Sequence, residues 1–251
     1  MDFVKVQGLG NDFIVFDGPF EPTESDVVRW CSRMTGIGAD GVLVIEPETD
    51  SRVLMRYWNA DGGEAEMCGN GLRCVALLAW ERGWVAEPDF VVQTAVGDHP
   101  VMVRGEVVKA FVGVPKRFRT EPLSIAGNDL YPMSIGNPHA VIFVDDVDEA
   151  DVTRIGPIVE HDALFPDRTN VEFVQVLDEG GIKARIWERG VGETLASGTG
   201  AAASAYMAHA VHDVAQPIRV QLRGGTLTIS IDDAGAWMEG PAEIVFSGST
   251  D

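Results

Sequence analysis

Arg56-Tyr57-Trp58-Asn59-Ala60-Asp61-Gly62-Gly63-Glu64-Ala65-Glu66-Met67-Cys68-Gly69-Asn70-Gly71 can be laid without gaps on Arg185-Ile186-Trp187-Glu188-Arg189-Gly190-Val191-Gly192-Glu193-Thr194-Leu195-Ala196-Ser197-Gly198-Thr199-Gly200. Arg, Trp, Gly, Glu, Gly and Gly coincide, and Cys68 falls on Ser197. A second pair has nearly the same offset: Gly10-Asn11 leads into the apolar run 13–16, and Gly136-Asn137 into 141–144. Two matches in the same order argue for a duplicated unit. Its period is far longer than the roughly 20–50 residues of a solenoid repeat, so the reading is two similar halves facing each other.

Working outward, the first half runs over 1–114 and the second over 115–237. The polar, turn-rich stretch 115–128 serves as their connection. The tail 238–251 begins with strand character and could return to either half. Short β-branched or aromatic runs bounded by turn residues predict strands at 42–45, 53–58, 90–94, 101–103 and 107–112. The second half repeats them at 140–144, 171–176, 184–187, 218–222 and 226–231. A helix follows each glycine-rich loop. Over 72–82 the residues Leu72, Val75, Ala76, Ala79 and Trp80 recur at helical spacing, and its counterpart is the alanine-rich 200–211. A shorter helix is predicted over 24–34, opened by the cap residue Thr23. The expected class is α+β: two halves related by a pseudo-twofold, each a mostly antiparallel sheet wrapped around a central helix, with the active site between them.

The bulk numbers bound the function. Apolar residues make up 45% and charged residues 23%, as in soluble globular chains. The formal net charge of −20 repels phosphate backbones, which excludes nucleic acid as a partner. Such a charge favours solubility, and a high-salt habitat is a second reading of it. No run of about eighteen apolar residues predicts a membrane span. The start Met1-Asp2-Phe3-Val4-Lys5 has no signal-peptide pattern, so a cytoplasmic location is expected. Three cysteines, Cys31, Cys68 and Cys74, are too few and too odd in number for a disulfide framework. Cys68 and Cys74 lie six residues apart with no histidine at a zinc-binding spacing, so no metal is expected.

In both repeated loops a side chain capable of proton transfer precedes Gly-X-Gly at the start of a helix. Glycines permit a tight turn and leave the amides unobstructed. The helix N-terminus adds unpaired donors and partial positive charge, a natural seat for a carboxylate. The same setting favours the thiolate of Cys68. Taking an α-proton pushes charge onto the adjacent carboxylate, which preorganised donors stabilise. With a proton-transfer group on each face of the α-carbon, the pair suits an epimerase or racemase; the bland alternative is two ordinary helix entries. Gly36-Ile37-Gly38-Ala39-Asp40-Gly41 matches G-x-G-x-x-G but leads into a predicted strand, which speaks against dinucleotide binding. Ser197 lacks the G-x-S-x-G setting of a hydrolase nucleophile. Of the histidines, only His139, beside Gly136-Asn137-Pro138, sits near a suspected site element. Cys31 and Cys74 read as core.

Gly8-Leu9-Gly10-Asn11-Asp12-Phe13, Gly36-Ile37-Gly38-Ala39-Asp40, Asn59-Ala60-Asp61-Gly62, Cys68-Gly69-Asn70-Gly71-Leu72-Arg73-Cys74, Gly136-Asn137-Pro138-His139 and Glu188-Arg189-Gly190-Val191-Gly192-Glu193-Thr194 stand in this order along nearly the whole chain. Together they resemble the diaminopimelate epimerase family. The resemblance implies interconversion of LL- and meso-diaminopimelate without cofactor or metal, in lysine and peptidoglycan synthesis, and a homodimer. It implies that Cys68 is one of two catalytic thiols. Gly69, Asn70, Gly198 and Thr199 would hold the carboxylate at the reacting centre. Asn11, Asn59, Asn137, Asn170, Glu188 and Arg189 would bind substrate, chiefly its distal amino acid end.

The chain departs from that family at Ser197, where the second cysteine is usual. Forming an alkoxide rather than a thiolate costs roughly five pKa units, about 7 kcal/mol. Three readings stay open: a working natural variant, an engineered change that traps a complex, or one-base chemistry on a related substrate. A binding protein that has lost activity is a further alternative.

Overall fold

The computed structural model describes residues 1–250. The chain divides into two compact units: Met1–Ala110 with the segment from Glu239 onward, and Phe111 to Met238. The chain leaves the first unit after Ala110 and re-enters it at Glu239.

The first unit contains β1 (Asp2–Gly8), β2 (Asn11–Asp17), α1 (Glu24–Cys31), β3 (Gly41–Thr49), β4 (Arg52–Asn59), β5 (Glu64–Ala65), α2 (Gly69–Glu81), β6 (Asp89–Thr94), β7 (Gly97–Arg104) and most of β8 (Val107–Gly113). β1 pairs antiparallel with β2, β2 parallel with β3, and β3 antiparallel with β4. β4 takes β5 antiparallel and β6 parallel, and β6, β7 and β8 continue antiparallel.

The second unit repeats this plan. It contains β9 (Lys116–Arg117), β10 (Leu123–Ile125), β11 (Asn128–Ser134), β12 (Pro138–Phe143), α3 (Val152–Glu160), β13 (Asn170–Val176), β14 (Ile182–Glu188), β15 (Gly192–Thr194), α4 (Gly198–His212), β16 (Ile218–Leu222), β17 (Gly225–Asp232) and the start of β18 (Gly235–Pro241). β11–β12 is antiparallel, β12–β13 parallel and β13–β14 antiparallel. β14 takes β15 antiparallel and β16 parallel, and β16–β17 is antiparallel. Every pairing from β1 to β7 therefore has its counterpart from β11 to β17, as the duplicated sequence requires. The last strand, β19 (Glu243–Ser249), returns to the first unit, antiparallel to β1.

Each sheet is covered on both faces. On one lies α2 or α4. On the other, α1 packs Val27, Trp30 and Cys31 against Ile14, Phe16, Val42 and Val44, and α3 packs Val152, Ile155 and Val159 against Ala140, Ile142, Val171 and Phe173. Double coverage explains why residues 13–16 form an unbroken apolar run rather than an alternating one. α4 is apolar around most of its circumference because it is buried on nearly every side.

The predicted strands and the helices after the two loops are present. α1 begins at the expected cap, where Thr23 accepts a hydrogen bond from the Asp26 amide, but it stops at Cys31 rather than running to residue 34. The stretch 115–128 carries two short strands. α3 was hidden by Gly156 and Pro157, residues that disfavour a helix interior. Gly156 has a packing reason, since a Cβ there would lie 2.6 Å from the Trp187 ring.

Candidate active site

In the first unit the hairpin joining β1 to β2 turns through Leu9 and Gly10, both at positive φ, and delivers Asn11 to the start of β2. Asn11 donates its amide NH2 to Asp40 Oδ2 at 2.7 Å. Its carbonyl oxygen is thereby turned to the α2 loop, where it accepts from Asn70 Nδ2 at 3.2 Å and from the Cys68 thiol at 3.6 Å. Arg33 bridges Asp40 and Asp12, and Lys5 pairs with Asp12 at 2.6 Å. Burial alone would raise the Asp12 carboxyl, but Arg33 and Lys5 hold it below the ordinary range.

Cys68 is the N-cap residue of α2, extended at φ −135° and ψ 119°, and its side chain caps no amide. It is half-buried, whereas Cys31 and Cys74 are buried. Loss of water pushes the Cys31 thiol up to about 11 and that of Cys74 to about 12. One turn into the helix, fully buried Arg73 donates to the carbonyl of Pro241 at 3.2 Å and lies close enough to interact electrostatically with Cys68 and Cys74. The same burial depresses its own proton affinity. Asn59 closes β4, its amide bonded to the Gly63 carbonyl.

In the second unit Ser197 is the N-cap of α4 in nearly the same conformation, φ −132° and ψ 126°. Its hydroxyl oxygen accepts from the Gly200 amide at 3.3 Å. The carboxyl of Glu188, at the end of β14, lies near the hydroxyls of Thr194 and Ser197, which act to lower its pKa. Desolvation of this half-buried carboxyl raises it above its ordinary range, with those hydroxyls opposing. Glu188 thus stands beside the N-cap residue itself, although sequence reasoning placed it with the distal binding residues. The β14–β15 hairpin is responsible, since it folds the chain back between Glu188 and Ser197.

Asn137 donates to Thr199 Oγ1 at 3.4 Å, and its Oδ1 lies 2.9 Å from His139 Nε2. The other ring nitrogen of His139 is 2.6 Å from Glu172 Oε1. Asn170 spends its amide on backbone, bracing the carbonyl of Pro138 and the amide of Arg189, each at 2.9 Å. Arg189 reaches the carbonyl of Asp167 at 3.2 Å. Asn11, Cys68 and Asn70 thus form one cluster in the first unit. Asn137 with Thr199, and Glu188 with Ser197, form the corresponding cluster in the second. Sequence reasoning gave no role to Asp40, Arg73 or Glu172. For Glu172 the available signal was a carboxylate inside the apolar strand 171–176.

Two matched loops, one with a thiol and one with a hydroxyl at a helix N-terminus, thus stand on duplicated α+β units, an arrangement suited to a racemase or epimerase. The fold is similar to that of a probable proline racemase from Agrobacterium radiobacter K84 with bound carbonate (TM-score 0.75, 14% identity, covering 100% of this chain and 92% of that one). It is also similar to a hydroxyproline epimerase from Agrobacterium vitis with bound trans-4-hydroxy-L-proline (TM-score 0.73, 16% identity, covering 99% and 90%). The diaminopimelate epimerase family model matches residues 3–116 and 131–245. Diaminopimelate epimerases of Moorella thermoacetica and Desulforudis audaxviator are 40% and 41% identical, each over 99% of this chain and 98% of the relative. The chain belongs to the diaminopimelate epimerase family.

Proposed function

We propose that the protein interconverts LL- and meso-diaminopimelate by α-proton transfer, with Cys68 acting on one face of the α-carbon and Ser197 on the other. Family membership supports the substrate. The observation that carries the two-face reading is the equivalence of Cys68 and Ser197, which occupy matching N-caps with backbone angles within a few degrees. Inversion requires both loops to meet one α-carbon. Gly69, Asn70, Gly198 and Thr199 present helix N-terminal donors to the carboxylate on which charge develops. Asn11, Asn59, Asn137, Asn170 and Arg189 orient the rest of the substrate, and the reaction needs no metal or cofactor. We place the enzyme in the cytoplasm as a homodimer, following the family resemblance.

Glu188 answers the difficulty posed by serine. A hydroxyl need not ionise if its proton passes to a carboxylate as it takes another from the substrate. Glu188, near Ser197 and raised by desolvation, is placed to be that acceptor. In the reverse direction the protonated carboxyl resupplies the hydroxyl as the hydroxyl donates to the carbanion.

Incubation with each pure diaminopimelate isomer in deuterium oxide tests the proposal. Deuterium should enter the α-position and the other isomer should appear. A chain that binds diaminopimelate but leaves its α-hydrogen untouched would be a binding protein. Exchange without inversion would be one-base chemistry.

A further inference from the structure

The two halves differ most beneath their glycine loops. In the first unit Phe13 and Leu43 are wholly buried hydrocarbon, and a Cβ on Gly71 would lie 3.5 Å from Leu43. In the second, β12 pairs with β13 in the register of β2 with β3, so His139 stands where Phe13 does and Glu172 where Leu43 does. A Cβ on Gly200 would lie 3.2 Å from Glu172 Oε1. His139 and Glu172 are 0% exposed, and Glu172 Oε2 has no hydrogen-bond partner. The first unit shows that this fold is built with hydrocarbon at both positions. A buried acid and imidazole there incur desolvation that the architecture does not demand.

We infer that Glu172 is a positioning residue, which acts through His139 to fix Asn137 with its NH2 turned to the α4 loop. This rests on the reading of that loop as a carboxylate seat. Glu172 faces the Nδ1 edge of His139, and Asn137 Oδ1 faces Nε2. A carbonyl oxygen can only accept, so Nε2 carries a hydrogen. Nε2 would be bare only if a neutral imidazole donated through Nδ1 to Glu172, which would then be either ionised, a lone negative charge in the core, or protonated on Oε2, a buried hydroxyl with no acceptor. The Glu188 carboxyl on β14 also interacts with the pair, and an acid cannot neutralise that charge. The pair therefore keeps one proton between Oε1 and Nδ1, whichever atom holds it, and a second on Nε2. Asn137 is then held by its oxygen and offers Nδ2 to Thr199.

In the first unit the sense is opposite. Asp40 takes the NH2 of Asn11, whose oxygen faces Cys68 and Asn70. The equivalent asparagines thus present an acceptor to one loop and a donor to the other, and the groups behind them set the choice. A donor suits a carboxylate, whereas an amide oxygen would repel it.

The test is the double variant His139→Phe/Glu172→Leu, which copies the hydrocarbon of the first unit. It should be as stable as the native chain or more so, yet show KM for both isomers raised about tenfold with little change in kcat, the worth of one hydrogen bond to a charged group. Stability lost with KM unchanged would make the pair merely structural and overturn the inference. Nitrogen NMR of the native protein supplies a readout independent of folding of the variant and of activity. The His139 ring should carry a hydrogen on Nε2. A bare Nε2 would overturn the inference, and this holds even if the native chain proves not to epimerise diaminopimelate.

Discussion

Cys68 and Ser197 sit on matching backbone at the heads of α2 and α4, yet each is built into its unit differently. Cys68 caps nothing and lends its hydrogen to the neutral Asn11. Ser197 caps the Gly200 amide and lies near the acidic Glu188. Asn59 occupies the position equivalent to Glu188 in the aligned repeat, so the first half has an amide where the second has a carboxylate. A thiol can ionise by itself near neutrality, whereas a hydroxyl cannot, and the second half carries a base where the first does not. A duplicated fold can keep its geometry while dividing the acid–base work unequally.

The largest test of that asymmetry is Cys68→Ala. It should reduce α-proton exchange and epimerisation by roughly 10⁴-fold, the upper end of what a positioned acid–base group supplies. Retained turnover would remove Cys68 from the reaction. Limited alkylation at neutral pH should label Cys68 well before the other thiols. Cys31 and Cys74, with pKa values near 11 and 12, stay protonated and lie in the core. Labelling of Cys74 first would contradict the assignment of the reactive loop.

Glu188→Gln separates the faces. Exchange from the isomer that offers its α-hydrogen to Ser197 should fall about 100-fold, while exchange through Cys68 is largely kept. In the native enzyme the Ser197-side rate should decline as pH falls through the raised Glu188 value, because only the ionised carboxylate can accept. Equal losses from both isomers would show that Glu188 serves binding rather than the hydroxyl. Ser197→Cys runs the opposite way: a thiol at this N-cap should raise epimerisation in both directions about tenfold, since abstraction at Ser197 limits both. An unchanged rate would mean that the Glu188 relay already removes the handicap of serine.

Much of this was legible in the sequence because duplication exposes itself as two copies of one pattern. The runs 13–16 and 141–144 are apolar since both sheet faces are covered, and the loops announce themselves by glycine spacing before a helix. What stayed hidden depended on partners remote in sequence or on local signals that mislead. Gly156 and Pro157 mask α3, although Trp187 explains the glycine. The pairing of Glu188 with Ser197 depends on how far the β14–β15 hairpin turns the chain back. Glu172 looks like one polar residue in a strand until the β12–β13 register sets it against His139.

The smallest effect concerns stability, and it distinguishes the loops without reference to catalysis. The Ser197 hydroxyl satisfies one of the orphan amides at the head of α4, whereas the Cys68 side chain satisfies none at the head of α2. Ser197→Ala should therefore cost about 1 kcal/mol locally, the usual worth of a serine N-cap. Cys68→Ala should change the stability of α2 by less than about 0.5 kcal/mol. Because the chain has two units, a single unfolding midpoint would mix their contributions, and amide hydrogen exchange at the helix starts reads the effect where it arises. The Gly200 amide should exchange roughly fivefold faster in Ser197→Ala, while Gly71 is unaffected by Cys68→Ala. Ser197→Cys should show the same loosening at Gly200 together with its gain in rate, because sulfur is a weak acceptor. In that outcome serine holds the helix start and lets Glu188 supply the basicity. Faster turnover with Gly200 protection intact would separate the two effects and leave the cap with no part in the choice of residue.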